Sequence, residues 1–186
     1  MAYIQRYLNE VGDILRQLPQ DQIAQIIQIL KQARLDRKQI FLIGNGGSAA
    51  TASHFANDLL KSTVAPDKPR MKVIALTDNI PIMMAYANDC GYETIFAEPL
   101  DALAAPGDVL VAFSGSGRSS NVLRALDLAR QRGLTTVGLA GRDGGEMPER
   151  CDVCLMVPCQ PMEQIEDVHV VLAHLIYSAI RDEAEL

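Results

Sequence analysis

Apolar residues along this chain follow two successive patterns. Ile4, Leu8, Val11, Leu15 and Leu18 recur every three or four positions, the spacing that places side chains on one face of a helix. Ile23, Ile26, Ile27, Leu30 and Ala33 repeat the pattern after a break at Leu18-Pro19-Gln20. Residues 3–34 therefore predict a helical hairpin, whose apolar face must pack on the core or on another subunit. From residue 39 the pattern changes to short, continuous apolar runs at 39–43, 72–76, 108–113, 134–139 and 152–157, read as buried strands. Helical patterns fill 48–61, 80–87, 96–104, 119–132 and 161–183. Strands alternating with helices predict an α/β fold, a doubly wound five-stranded parallel sheet flanked by helices. No repeat, low-complexity stretch or long linker interrupts it, and 65–70 and 143–149 read as loops. We expect one domain over residues 1–186: the hairpin at 1–36 and the α/β core at 37–186.

Two strand ends carry polar, glycine-rich turns. Phe41-Leu-Ile-Gly runs into Asn45-Gly46-Gly47-Ser48 and then a helix, with Ser48 expected as its N-cap. Glycines let backbone approach a ligand, and a helix N-terminus offers unpaired N–H groups to an anion. Val109-Leu-Val-Ala-Phe113 runs into Ser114-Gly-Ser-Gly-Arg-Ser-Ser120, a nest of hydroxyls and N–H groups suited to a phosphate monoester. The second turn lacks the Lys-Ser/Thr ending of a nucleotide P-loop and the spacing of a dinucleotide fingerprint, so no nucleotide or organic cofactor is expected. Two such turns at the C-terminal ends of two strands point to one crevice.

Charge changes the picture little. The formal net charge is −6, which does not favour nucleic acid or an anionic membrane as partner. An anionic small molecule would then need local amides, hydroxyls and Arg118. The N-terminal residues show no secretory pattern and no apolar run is long enough to span a bilayer, so we expect a cytoplasmic protein. Four cysteines are present, Cys90, Cys151, Cys154 and Cys159. Cys151-Asp-Val-Cys154 is half a metal knuckle with no second half, in an apolar stretch; the pattern predicts buried, inert thiols and no disulfide framework.

Acid–base chemistry has few candidates among three histidines. His54 and Asp58 are four apart on the helix after the first turn and share a face. Glu166 and His174 share a side of the last helix, whereas His169 is rotated from His174 by about 140°. Two His and two carboxylates could also hold a divalent metal such as zinc, provided the two helices meet.

These pieces together resemble the SIS (sugar isomerase) domain family and, within it, the phosphoheptose isomerases. The resemblance covers nearly the whole chain: the leading helical pair, GNGGS at 44–48, HFAND at 54–58, ANDC at 87–90, SGSGRSSNV at 114–122, GRDGGEM at 141–147 and EDVHVVLAH at 166–174. It implies a flavodoxin-like sheet and a ketose–aldose isomerase that interconverts sedoheptulose 7-phosphate and glycero-manno-heptose 7-phosphate by enediol proton transfer. It implies that sugar meets Asn45, Gly46, Gly47, Ser48, Asn88, Asp89 and Glu166, and that phosphate meets Ser114, Gly115, Ser116 and Ser119. Asp58 and His174 match the proton-transferring pair. His54, Asp58, Glu166 and His174 match zinc ligands, and a homotetramer with sites shared between subunits is implied. The family usually has Glu at Asp58, Gln at Glu166, Thr at Gly115 and Asn at Arg118. Arg118 stands where direct pairing with the phosphate is expected. SIS domains also serve as sugar-phosphate-binding regulators, so a non-catalytic binder, or an isomerase of a different ketose phosphate, is the alternative expectation.

Overall fold

The structure is a computed structural model that describes residues 1–183. Its helices are α1 (Ala2–Arg16), α2 (Gln20–Leu35), α3 (Gly47–Asn57), α4 (Ile80–Asp89), α5 (Ala97–Leu103), α6 (Ser120–Gln131) and α7 (Met162–Arg181). Its strands are β1 (Gln39–Gly44), β2 (Lys72–Ala75), β3 (Val109–Ser114), β4 (Thr135–Gly141) and β5 (Val153–Val157). All neighbouring strands are parallel, in the order β2-β1-β3-β4-β5. This is the doubly wound sheet that the alternating pattern predicts, with the order reversing between β1 and β3, the place where such sheets bind ligands.

Alternation along the strands builds a core on each face. Ile40, Leu42, Val111, Phe113, Val137 and Leu155 face α2, α3 and α7. Phe41, Ile43, Leu110, Ala112 and Ala140 face α5 and α6. The helical pair packs chiefly through α2, which buries Ile23, Ile26, Ile27 and Leu30 against β5 and α7. Of α1, only Ile14 is buried. Tyr7 Oη donates to Asp167 at 2.6 Å and Gln164 Nε2 to Glu10 at 2.8 Å, tying α1 to α7. That hydrogen bond, first among the causes, pushes the Tyr7 hydroxyl up to about 12. Tyr3, Ile4 and Leu8 remain largely exposed. No helix among the described residues is long and apolar enough to cross a membrane.

Two expectations about α3 need correction. Ser48 is not its N-cap: the helix begins at Gly47, Gly46 caps it with φ 54°, and Ser48 is buried inside the first turn. Glycine at Gly46 supplies the positive φ that lets the chain turn straight from β1 into α3, and no side-chain cap is made. The predicted helix to residue 61 ends its regular part at Asn57; Asp58–Ser62 form a wider π turn, a feature frequent at functional sites.

Candidate active site

The two glycine- and serine-rich turns meet at the β1/β3 switch point. They enclose a cavity of about 250 Å³ lined by Asn45, Gly46, Gly47, Ser48, Ser114, Gly115, Ser116, Ser119, Met162 and Glu166, among others. Asn45 is held from two sides. Its amide exchanges hydrogen bonds with Asn121 at 2.9 and 2.8 Å, and Tyr92 Oη donates to its Oδ1 at 3.0 Å. Asn121 in turn accepts from the Val122 N–H at 2.9 Å, so the start of α6 fixes the first turn through one amide pair. In the serine turn, Ser114 Oγ accepts from the Gly117 N–H at 3.2 Å and Ser116 Oγ from the Arg118 N–H at 3.2 Å. Ser116 keeps its own proton to donate. Ser114 Oγ lies 3.5 Å from Ser119 Oγ, so that one of the two donates to the other and the other keeps its proton. The first N–H groups of α6 have no intrahelical acceptor. That combination makes an anion nest.

A second loop clasps this nest from outside. The Glu146 N–H donates to Gly117 O at 2.9 Å. A Cβ at Gly145 would lie 2.5 Å from that same oxygen, so the two backbones are in direct contact. Arg118 closes the clasp. Its guanidinium donates to Asp143 at 3.2 and 3.0 Å, a fork-on-carboxylate pair. Hydrogen bonding from Arg118, then from the Gly145 N–H, holds the Asp143 carboxyl at about 2. Arg118 is thus engaged with Asp143, not poised over the nest as expected from its position in the turn. The sequence offered no sign of this, because Asp143 stands in a separate loop.

The departures at Gly115 and Glu166 have local reasons. A Cβ at Gly115 would overlap Met162 Sδ, so the thioether occupies the space a larger residue would need. The Glu166 carboxylate lies against Gly47: a Cβ there would sit 2.6 Å from its carboxyl carbon. This places a negative group beside the N-terminus of α3, where the helix dipole favours one. Asn88 and Asp89 are exposed at the end of α4, joined to each other at 2.6 Å, and do not line the cavity.

Further along the α3–α7 seam, three side chains converge. His54 Nε2 lies 2.8 Å from His174 Nε2, and Asp58 Oδ2 lies 3.2 Å from the first and 3.8 Å from the second. The two helices therefore do meet. All three donor atoms fall within 4.8 Å of one another, and Glu166 is not among them. Asp58 Oδ2 is buried yet accepts no hydrogen bond. Two imidazole nitrogens and a carboxylate oxygen around an orphaned acceptor fit a divalent ion: metal–ligand bonds of about 2.0–2.1 Å in a tetrahedron set ligands roughly 3.3 Å apart. Three protein ligands would leave a position open for substrate. His169, by contrast, is wholly buried against Phe113, with Nε2 3.4 Å from Ala140 O. Desolvation lowers it to about 4, so it is neutral. Its helical offset from His174 sends it into the core.

Asn121, Tyr92, Asp143 and Met162 all shape the site and none was singled out from sequence. Only Asn121, directly after the serine turn, offered a positional cue.

A model of the SIS domain matches residues 6–141. A phosphoheptose isomerase of Akkermansia muciniphila is 36% identical over 97% of this chain and 96% of its own length. Among solved structures, phosphoheptose isomerase GmhA from Neisseria gonorrhoeae superposes with a TM-score of 0.84 at 32% identity, covering 98% of this chain and 95% of its own. A phosphoheptose isomerase from Francisella tularensis gives 0.89 at 27%, covering 97% and 95%. With the fold, the paired turns and near-complete coverage all in agreement, the chain belongs to the SIS domain family, in its phosphoheptose isomerase branch.

Proposed function

We propose that this chain isomerises sedoheptulose 7-phosphate to glycero-manno-heptose 7-phosphate. The observation that carries the reading is the convergence of His54 of α3, Asp58 of the π turn that continues it and His174 of α7, where the N-terminal turns of both helices line the serine-nest cavity. The substrate phosphate binds in the turn of Ser114, Ser116 and Ser119, and Asn45, held by Asn121 and Tyr92, meets the sugar. Gly47 to His54 and Glu166 to His174 are seven and eight residues, so the cluster lies about 10–12 Å along both helices from the cavity. A substrate held at one end and worked on at the other must be long, which favours a seven-carbon chain over a triose. Binding energy from the remote phosphate holds the reacting carbons in place.

The reaction moves one carbon-bound proton and one hydroxyl proton. A base takes the proton from the hydroxyl-bearing carbon beside the carbonyl while an acid protonates the carbonyl oxygen, giving an enediol. The first carbon's hydroxyl then gives up its proton to become the aldehyde as a proton is returned to the neighbouring carbon. Asp58 and His174 are the acid–base pair of the metal-free site. Where zinc is bound, His54, Asp58 and His174 would act as its ligands first, and Glu166, against Gly47, faces the substrate. When bound there, such an ion supplies Lewis acidity to an oxygen of the reacting carbons.

The active form is a homotetramer in this reading. Support comes from the exposed Tyr3, Ile4 and Leu8 of α1, and from an apolar groove of about 600 Å³ between the helical pair and α7 that includes Val171 and Leu175. The test is turnover of five- to seven-carbon ketose phosphates, followed by a coupled assay for aldose phosphate, with and without zinc. Aldose formation strongest with the seven-carbon substrate supports the reading. Tight binding of every sugar phosphate without turnover would make the protein a binder.

A further inference from the structure

The Cys-x-x-Cys pair belongs to no part of the isomerase site. Cys151 and Cys154 lie on the α5–α6 face of the sheet, opposite the face that packs α3 and α7. Neither is fully buried as the apolar pattern predicted; both are half-buried thiols packed against the core of that face. The reason is position: β5, which carries Cys154, is an edge strand of the sheet, and Cys151 lies just before it. The two sulfurs converge on Gly138 of β4. A Cβ at Gly138 would lie 2.8 Å from Cys151 Sγ and 3.1 Å from Cys154 Sγ. The sulfurs are therefore no farther apart than those two distances laid end to end, and the missing side chain at Gly138 provides the room. The Met147 methyl, 2.9 Å from the same point, backs the pair.

We propose that Cys151 and Cys154 are a redox-active dithiol that closes reversibly to an intrachain disulfide by exchange with small-molecule disulfides. Hydrogen bonding from the Cys151 thiol holds Cys154 below the usual thiol range, while that bond and then burial push Cys151 up. Cys154 is thus the attacking sulfur. Its thiolate attacks one sulfur of the small disulfide, forms a mixed disulfide and expels one thiolate, which takes up a proton. Cys151 then gives its proton to solvent, and its sulfur attacks Cys154 Sγ, forming the internal bond and expelling the second thiolate. The protein loses two electrons and two protons, and the small disulfide becomes two thiols. Cys90 is exposed, and Cys159, half-buried and raised by desolvation, packs on the opposite face of the sheet from the pair.

The experiment does not depend on the isomerase reading. The reduced full chain is incubated with oxidised glutathione, remaining thiols are alkylated, and the peptide beginning at Cys151 is fragmented without reduction. The expected result is loss of two of the four titratable thiols as a Cys151–Cys154 link, reversed by dithiothreitol. Cys151→Ser should instead retain glutathione on Cys154, and a melting curve matching the parent's will show that it folds. Recovery of Cys151 and Cys154 as alkylated thiols while Cys90 carries glutathione would overturn the proposal. So would glutathione persisting on Cys154 of the parent protein with no internal link.

Discussion

Gly117→Ala tests whether the serine nest is shaped by the loop behind it. Gly117 has φ +62°, where a side chain costs about 1–2 kcal/mol. A Cβ would lie 2.5 Å from the Gly144 carbonyl carbon and nearer still to its oxygen. Ordinary contact begins near 3.4 Å, so two backbones must part by about 1 Å or more. Overpacking of that kind costs about 1–3 kcal/mol. The Glu146 N–H to Gly117 O bond, lost in the process, is worth about 0.5–1.5 kcal/mol. The lower ends together give about 2.5 kcal/mol. Gly133→Ala supplies the control, because Gly133 has φ +74° but its nearest neighbour, Pro106 Cβ, is 3.8 Å away. It should lose only the backbone part, about 1–2 kcal/mol. Urea unfolding of both variants measures the difference, and inorganic phosphate binding reports the nest. Gly117→Ala should be the less stable and should bind phosphate more weakly, whereas Gly133→Ala should bind as the parent does. Equal stability losses in the two variants would refute the clasp.

Three further outcomes follow from the same geometry. Arg118→Ala and Asp143→Ala should raise KM alike with kcat little changed, and the double variant should do no more than either; a loss confined to Arg118→Ala would put the guanidinium on the phosphate. Ser116→Ala with Ser119→Ala should weaken every sugar phosphate, each charge-assisted bond being worth about 1.5–3 kcal/mol, and unchanged affinity would place the phosphate elsewhere. His169, neutral in the fold at about 4 against an ordinary 6.5, binds its proton first in the unfolded chain. Stability should therefore be flat above pH 6.5 and fall towards pH 4 by at most about 3 kcal/mol; a His169→Leu variant with the same pH-dependent loss as the parent would disprove this source.

The sheet was readable because buried parallel strands are continuous apolar runs, and each of the five lies where such a run occurs. The meeting of the two turns was readable from their place at strand ends. What sequence concealed was contact between distant segments. Arg118 looked like a phosphate ligand until Asp143, twenty-five residues on, proved to hold it. Ser48 had the chemistry of an N-cap, but the positive φ at Gly46 moved the helix start past it. Helical spacing set His169 apart from His174 and could not say that the other side was core. The cysteine pair read as core because β5 is apolar, and its apolarity concealed that β5 is the sheet's edge.

The central claim is that Asp58 and His174 move the proton of a sugar phosphate bound at the serine turn. The direct measurement is aldose phosphate formation from sedoheptulose 7-phosphate by Asp58→Asn and His174→Gln chains, alongside substrate binding and metal content. Each substitution should lower turnover by about 10²–10⁴-fold. Substrate binding should be retained, because the serine turn is untouched. Near-parental turnover in both variants would contradict the account.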